Sequence, residues 1–141
     1  MNKPGTVRSD GAAKDNGQDF SLTLFSFGFK HGLPDADLVW DVRFLPNPYW
    51  VETLRDRTGL EPAVASHALD NATGEEFLEL LKPMLLFLVR QHAAGKRNTL
   101  RIGIGCTGGR HRSVAVVENL RKWFDSEGID LTVFHRDIEK H

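Results

Sequence analysis

The sequence predicts an α/β fold: a single compact domain with a mostly parallel sheet of about four strands flanked by helices. Three observations predict it. Four short stretches carry strand-like alternation, at Phe20–Phe29, Leu38–Phe44, Leu100–Ile104 and Leu131–His135. Helical patterns separate the later ones, which is the signature of strand–helix–strand crossovers. One of these strands runs through glycines straight into a helix, at Thr99–Ser113, and in parallel sheets ligands gather beyond such strand ends.

The N-terminal stretch, residues 1–19, is polar and has no apolar core, so a disordered tail is expected and no secretory signal. The folded domain is expected over residues 20–141. Phe20, Leu22 and Leu24 alternate with Ser21 and Thr23, and the run continues through Phe25, Phe27 and Phe29 as strand one. His31–Asp37 is turn chemistry, and Leu38–Phe44 reads as strand two, with Asp41 and Arg43 on one face. About ten residues join these strands, short for a parallel crossover, so an antiparallel edge strand is expected. Two prolines in Leu45–Trp50 end the second strand. Val51–Arg57 is read as a short helix stopped near Gly59 and Pro62.

Thr73-Gly-Glu-Glu76 forms a capping box, which predicts a helix starting at Thr73. Pro83 should kink it or open a second helix that runs to about Ala94, where Gly95 ends it. The apolar run Met84–Val89 is far short of the about 20 residues a membrane span needs, so it is read as core. Ser113 is the expected N-cap of the next helix. Val114, Val116, Val117, Leu120, Trp123 and Phe124 form its apolar face and Gly128 its stop.

Formal net charge is -1, which gives the whole molecule no general pull toward nucleic acid or an anionic membrane. The charge is unevenly placed, however. Between Leu80 and Val117 there is no Asp or Glu, while Lys82, Arg90, Lys96, Arg97, Arg101, Arg110 and Arg112 all fall there. The single cysteine, Cys106, excludes an internal disulfide and fits the cytoplasm, and no Cys/His spacing suggests a metal site. No cofactor is expected.

The loop Cys106-Thr107-Gly108-Gly109-Arg110-His111-Arg112-Ser113 is read as an anion site. Glycines allow close approach, a helix N-terminus offers N–H groups, and two guanidinium forks match phosphate oxygens. Three chemical readings compete for it. Cys106, five intervening residues, Arg112 and Ser113 match the C-x5-R-S/T pattern of cysteine phosphatases, with Asp35, Asp37 or Asp41 as general acid. Gly103, Gly105 and Gly108 spell a dinucleotide fingerprint, which fails because Gly103 lies inside the strand and no acid ends a following strand. No Walker A lysine follows either.

The third reading is a resemblance. Ser26–Pro34, Asp35–Trp50, Ile104–Ser113 and the terminal His135-Arg-Asp-Ile-Glu-Lys140 resemble the C-terminal domain of the RapZ/YvcJ family over about residues 20–141. That family comprises RNase adapters and nucleotide-binding proteins with an N-terminal P-loop kinase-like domain, absent from this chain. The resemblance implies a non-catalytic regulatory domain that binds a phosphorylated amino sugar such as glucosamine 6-phosphate. Thr107–Ser113 would hold phosphate, and Asp41, Arg43, Asn47 and Tyr49 would line the sugar side. Some members bind small regulatory RNA, for which Arg121, Lys122, His135, Arg136 and Lys140 are the candidates here. Expected partners are thus a phosphorylated small molecule, then a small RNA, an RNase, a separate P-loop kinase-like protein or a second copy of the chain, with no membrane.

Overall fold

The computed structural model describes residues 20–141, so the expected N-terminal tail lies outside the described residues. In chain order it has strand β1 (Ser21–Gly28), strand β2 (Leu38–Asp41), helix α1 (Pro62–Leu69), helix α2 (Ala72–Ala94), strand β3 (Thr99–Cys106), helix α3 (Arg112–Ser126) and strand β4 (Thr132–His135). Single 3-10 turns at Phe29–His31 and Pro48–Trp50 follow the first two strands. The sheet order is β2-β3-β1-β4 and every pairing is parallel.

Strand alternation sorts the side chains onto two different faces. Leu22, Leu24, Leu100, Ile102, Ile104 and Cys106 point one way and meet the buried sides of all three helices in one core. Phe25 and Phe27 point the other way and are also fully buried. Gly103 and Gly105 stand beside them in register and leave the room their rings need. A Cβ at Gly105 would lie 2.5 Å from the Phe27 ring. Phe134 stacks on Phe25 at 4.8 Å and Phe29 meets Phe27 edge-on at 4.9 Å. Arg101, Arg136 and Arg43 lie over Phe25, Phe27 and Phe29, so rings and guanidinium groups cover this face.

The expected antiparallel edge is not found. The nine-residue link Phe29–Asp37 reaches up to about 30 Å, whereas β2 starts level with Ile102, only about 13 Å back along the sheet and about 10 Å across. A late-starting short strand removes the need for a full crossover. Strand two also stops at Asp41 rather than Phe44, because β3 ends at Cys106 and the last bond to it is Val42 N–H to the Gly105 carbonyl, 2.8 Å.

Other boundaries shift for local reasons. Val51–Arg57 forms turns, not a helix, after Asn47 Oδ1 caps the Pro48–Trp50 turn through the Tyr49 N–H. Pro62 opens α1 rather than stopping a helix, as suits a residue lacking an N–H. Asn71, not Thr73, caps α2, accepting the Gly74 N–H at 2.9 Å. Helix α2 runs unbroken through Pro83 because that residue lies on the solvent side, where the carbonyl that loses its donor meets water. His111, not Ser113, occupies the position before α3, and Gly128 takes φ 76° after its end.

Overpacking at the glycine-supported face should be costly. Gly105→Ala is expected to lower unfolding free energy by about 1–3 kcal/mol in urea denaturation, with the m-value unchanged.

Candidate functional site

Beyond Cys106 the chain turns back over the end of β1. A Cβ on Gly28 would lie 2.4 Å from the Gly108 carbonyl carbon, and one on Gly109, at φ 80°, would lie 2.5 Å from the Gly28 nitrogen. The two backbones therefore touch as only glycines permit. Asp137 fixes that contact. It is fully buried, accepts the Gly28 N–H at 2.8 Å, and pairs with Arg136 at 2.8 Å and Lys140 at 2.7 Å. Burial alone would raise its pKa, but Arg136, Lys140 and the Gly28 N–H outweigh this and hold it at about 2.

The loop borders a cavity of about 590 Å³ at the carboxyl ends of the strands. All four post-strand segments contribute to it: Lys30 after β1, Asn47, Tyr49 and Trp50 after β2, Thr107, Gly108, Arg110 and Arg112 after β3, and Lys140 after β4. Five Lys or Arg side chains reach the cavity, counting Arg55, against one carboxylate side chain, Asp56.

Arg112 is 5% exposed, and its Nη1 donates to the Arg43 and Leu45 carbonyls at 2.6 and 3.2 Å. Its Nε is buried without a partner. Arg110 Nε donates to the Ile138 carbonyl at 2.8 Å, tying the loop to the C-terminal turn. The His111 ring is mostly buried and its Nε2–H donates to the Arg55 carbonyl at 3.0 Å. Burial lowers its pKa, Arg110 and Arg112 push the same way, and the Arg55 and Arg57 carbonyls only partly oppose them.

The sequence-predicted residues divide into groups. Cys106, Thr107, Gly108, Arg110, His111, Arg112, Asn47 and Tyr49 line the cavity. Gly109 and Ser113 shape the loop from behind. Asp41 and Arg43 do not line it; they form a bidentate pair at the surface, and Arg43 holds the Asp41 carboxyl below its usual value. Cys106 is 2% exposed, its Sγ–H donates to Ser113 Oγ at 3.1 Å and its sulfur accepts the Ser113 N–H at 3.4 Å. The candidates for RNA contact are mostly engaged internally. Arg121 pairs with Glu118, and His135 bridges Ser26 Oγ and Glu118, each at 2.7 Å. Arg136 and Lys140 both serve Asp137, while Lys122 is exposed.

Lys30, Trp50, Arg55 and Asp56 were not singled out from sequence, nor was Asp137. Lys30 and Asp137 each sit two residues past a strand's end, the position from which a side chain reaches the carboxyl edge.

Fold and site together define a class: a small parallel-sheet α/β domain with a cationic cavity beyond its strand ends. More narrowly, the chain belongs to the RapZ C-terminal domain family, whose model matches residues 20–139. A nucleotide-binding protein of Caldicellulosiruptor bescii is 51% identical over 120 residues, covering 84% of this chain and 41% of that protein. One of Lachnoclostridium phytofermentans is 51% identical over 124 residues, covering 87% and 44%, and one of Geotalea daltonii is 44% identical over 127 residues, covering 89% and 45%. The chain thus spans less than half the length of these curated relatives. Among the described residues no helix is long and apolar enough to cross a membrane.

Two pH measurements test this geometry. With its pKa lowered to about 2, Asp137 contributes stability that is complete above the unfolded value near 3.8 and is lost as pH falls toward 2. Asp137→Asn should therefore cost about 2 kcal/mol at neutral pH, and the gap to wild type should close between about pH 4 and 2 in denaturation series. His111 should titrate below its ordinary 6.5 by NMR, so its contribution is full above that value and declines as acid protonates the unfolded chain first.

Proposed function

We propose that this domain is a non-catalytic sensor that binds a phosphorylated small molecule in the cavity at the strand ends. The observation that carries the reading is the excess of five cations over one carboxylate in a cavity of about 590 Å³, a size suited to a phosphosugar or nucleotide. In this reading the phosphate lies among Lys30, Thr107, Gly108, Arg110 and Arg112, whose charges match its oxygens. The remainder of the ligand lies toward Asn47, Tyr49 and Trp50. Glucosamine 6-phosphate is the first candidate from the sequence resemblance, and the relatives' naming as nucleotide-binding proteins makes nucleotides the second. A partner protein, such as an RNase or a P-loop kinase-like chain, would read the bound state.

Geometry disfavours phosphatase chemistry. Cys106 is only 2% exposed, and the Asp41 carboxyl is kept ionised by Arg43, the wrong direction for a general acid. RNA binding has less support than metabolite binding, since four of its five candidate residues already bond to carboxylates of the same domain.

Calorimetric titration with glucosamine 6-phosphate, AMP and ATP, with glucosamine and inorganic phosphate as controls, tests the proposal. Saturable binding should require both the phosphate and the organic part. Lys30→Ala, an exposed change, should weaken it by about 10- to 100-fold, the worth of one charge-assisted bond. Cys106→Ser should leave affinity intact, and turnover of a phosphate ester abolished by that substitution would instead establish the phosphatase. Absence of heat with every phosphorylated ligand would overturn the sensor reading.

A further inference from the structure

His111 joins two walls of the cavity. Its ring lines the space from the β3 side, and its Nε2–H donates across to the Arg55 carbonyl at 3.0 Å, in the segment that also brings Asn47, Tyr49 and Trp50 to the lining. The Arg57 carbonyl faces the same ring. Beside it the Gly59 N–H donates to the Arg110 carbonyl at 2.8 Å, which closes the seam between the two segments. His111 holds the position before α3, yet its side chain caps nothing there, so the imidazole is committed to the cavity.

These surroundings treat the two protonation states of the ring unequally. Backbone carbonyls accept N–H groups and so suit the charged form, which has two to offer. Burial, the flanking Arg110 and Arg112 and the positive end of α3 oppose a further charge, and they prevail. The remaining charged lining comes from every other segment at the strand ends: Lys30 after β1, Arg55 and Asp56 after β2, Lys140 and His141 after β4. Only Asp56 among them brings a carboxylate side chain, so the ring is neutral at pH 7. A phosphate dianion among these groups reverses the balance. It offsets the field of the two arginines and sets an opposite charge beside a ring whose acceptors are already in place.

We propose that His111 makes the site proton-linked: the domain takes up a proton on this ring as it binds a phosphorylated ligand, and therefore holds that ligand more tightly in acid than in alkali. The proposal rests on the phosphate-binding reading of the cavity and adds acidity to it as a second signal. The proton comes from solvent and goes to Nδ1, since Nε2 already carries the one donated to Arg55. By linkage, whatever the bound anion does to favour the charged ring, protonation of the ring does to favour the anion. An opposite charge within about 4–6 Å moves a titration by about 1–3 pH units, so the gain in affinity on acidification is about fivefold or more. A ring that served only to tie the two segments together would take up no proton on binding.

Calorimetry of the full chain with glucosamine 6-phosphate and with AMP, repeated in buffers of different ionisation enthalpy, counts the protons exchanged. A phosphate ester has its own proton near pH 6, so the quantity to read is the difference between wild type and His111→Gln. At about pH 6.5 wild type should take up about half a proton more than the variant, and between about pH 8 and pH 6 its affinity should rise about fivefold relative to the variant. NMR of the wild-type histidine rings needs no variant and separates His111 from His141, the other imidazole of the lining. On saturation with the ester that binds, the His111 midpoint should rise by about one pH unit. A His111 midpoint that saturating ligand leaves unmoved, or equal proton uptake in wild type and His111→Gln, overturns the inference and leaves the phosphate site standing. Binding of neither ester at any pH overturns both.

Discussion

The contact of two backbones, Gly28 at the end of β1 and Gly108–Gly109 after β3, is the constraint on which the site depends. No side chain can enter it, since a Cβ on Gly28 or Gly109 would fall within 2.5 Å of main-chain atoms. The parallel register that aligns Gly28 with Cys106 brings the two segments level. Asp137 then joins them to the end of the chain, accepting the Gly28 N–H while neutralised by Arg136 and Lys140. A buried carboxylate with three donors is stable only if all are present, so the sheet edge, the loop and the C-terminal turn form one unit. From that unit Arg110 reaches the Ile138 carbonyl and Lys140 reaches the cavity, so the cationic lining is a by-product of the same brace.

Much of this was legible in the sequence, and the exceptions have physical reasons. The alternation in Leu100–Ile104 and in Phe20–Phe29 located the two long strands because each has a fully helix-covered side. Glycines 103 and 105 were harder to read. They resemble a phosphate motif, yet their purpose is to admit the rings of Phe25 and Phe27 on a partner strand, and pairing between distant segments is not written in either segment alone. The same holds for the short reach of β2: only the register against β3 shows that the strand begins halfway up the sheet. Local rivals explain the shifted helix starts. Asn71 and Thr73 are both competent caps, and the packing of Gly74 on the Leu69 backbone favours Asn71.

At the candidate site the loop was legible because its glycines and arginines are contiguous. Asp41 and Arg43 read equally well as ligand groups, but in the structure the strand ends at Asp41 and the turn after it brings the Arg43 guanidinium back onto that carboxylate at 2.7 Å. Asp137 escaped notice because its importance comes from burial, and burial of a lone aspartate near a chain end has no sequence signature. His135 is similar. It looks like a surface cation in sequence and in the fold it spans Ser26 and Glu118, tying β4 and β1 to α3.

That linkage has a consequence for how ligand affinity would be set. Strand β4 is an edge strand of four residues, paired in the sheet with β1 alone, and the turn after it is held through Asp137, the Arg136–Gly32 bond and the Arg110–Ile138 bond. It is one of the two four-residue edge strands, and its detachment would be a sub-global opening that leaves β1, β3 and the helices in place. In the detached state Lys140 is gone from the cavity and the glycine contact has lost its brace. Any ligand that needs the closed arrangement then binds only the docked fraction, and its apparent affinity is scaled by that fraction. The free energy holding the ten residues 132–141 against the sheet edge becomes a thermostat for the site, adjustable by substitutions that never approach the ligand.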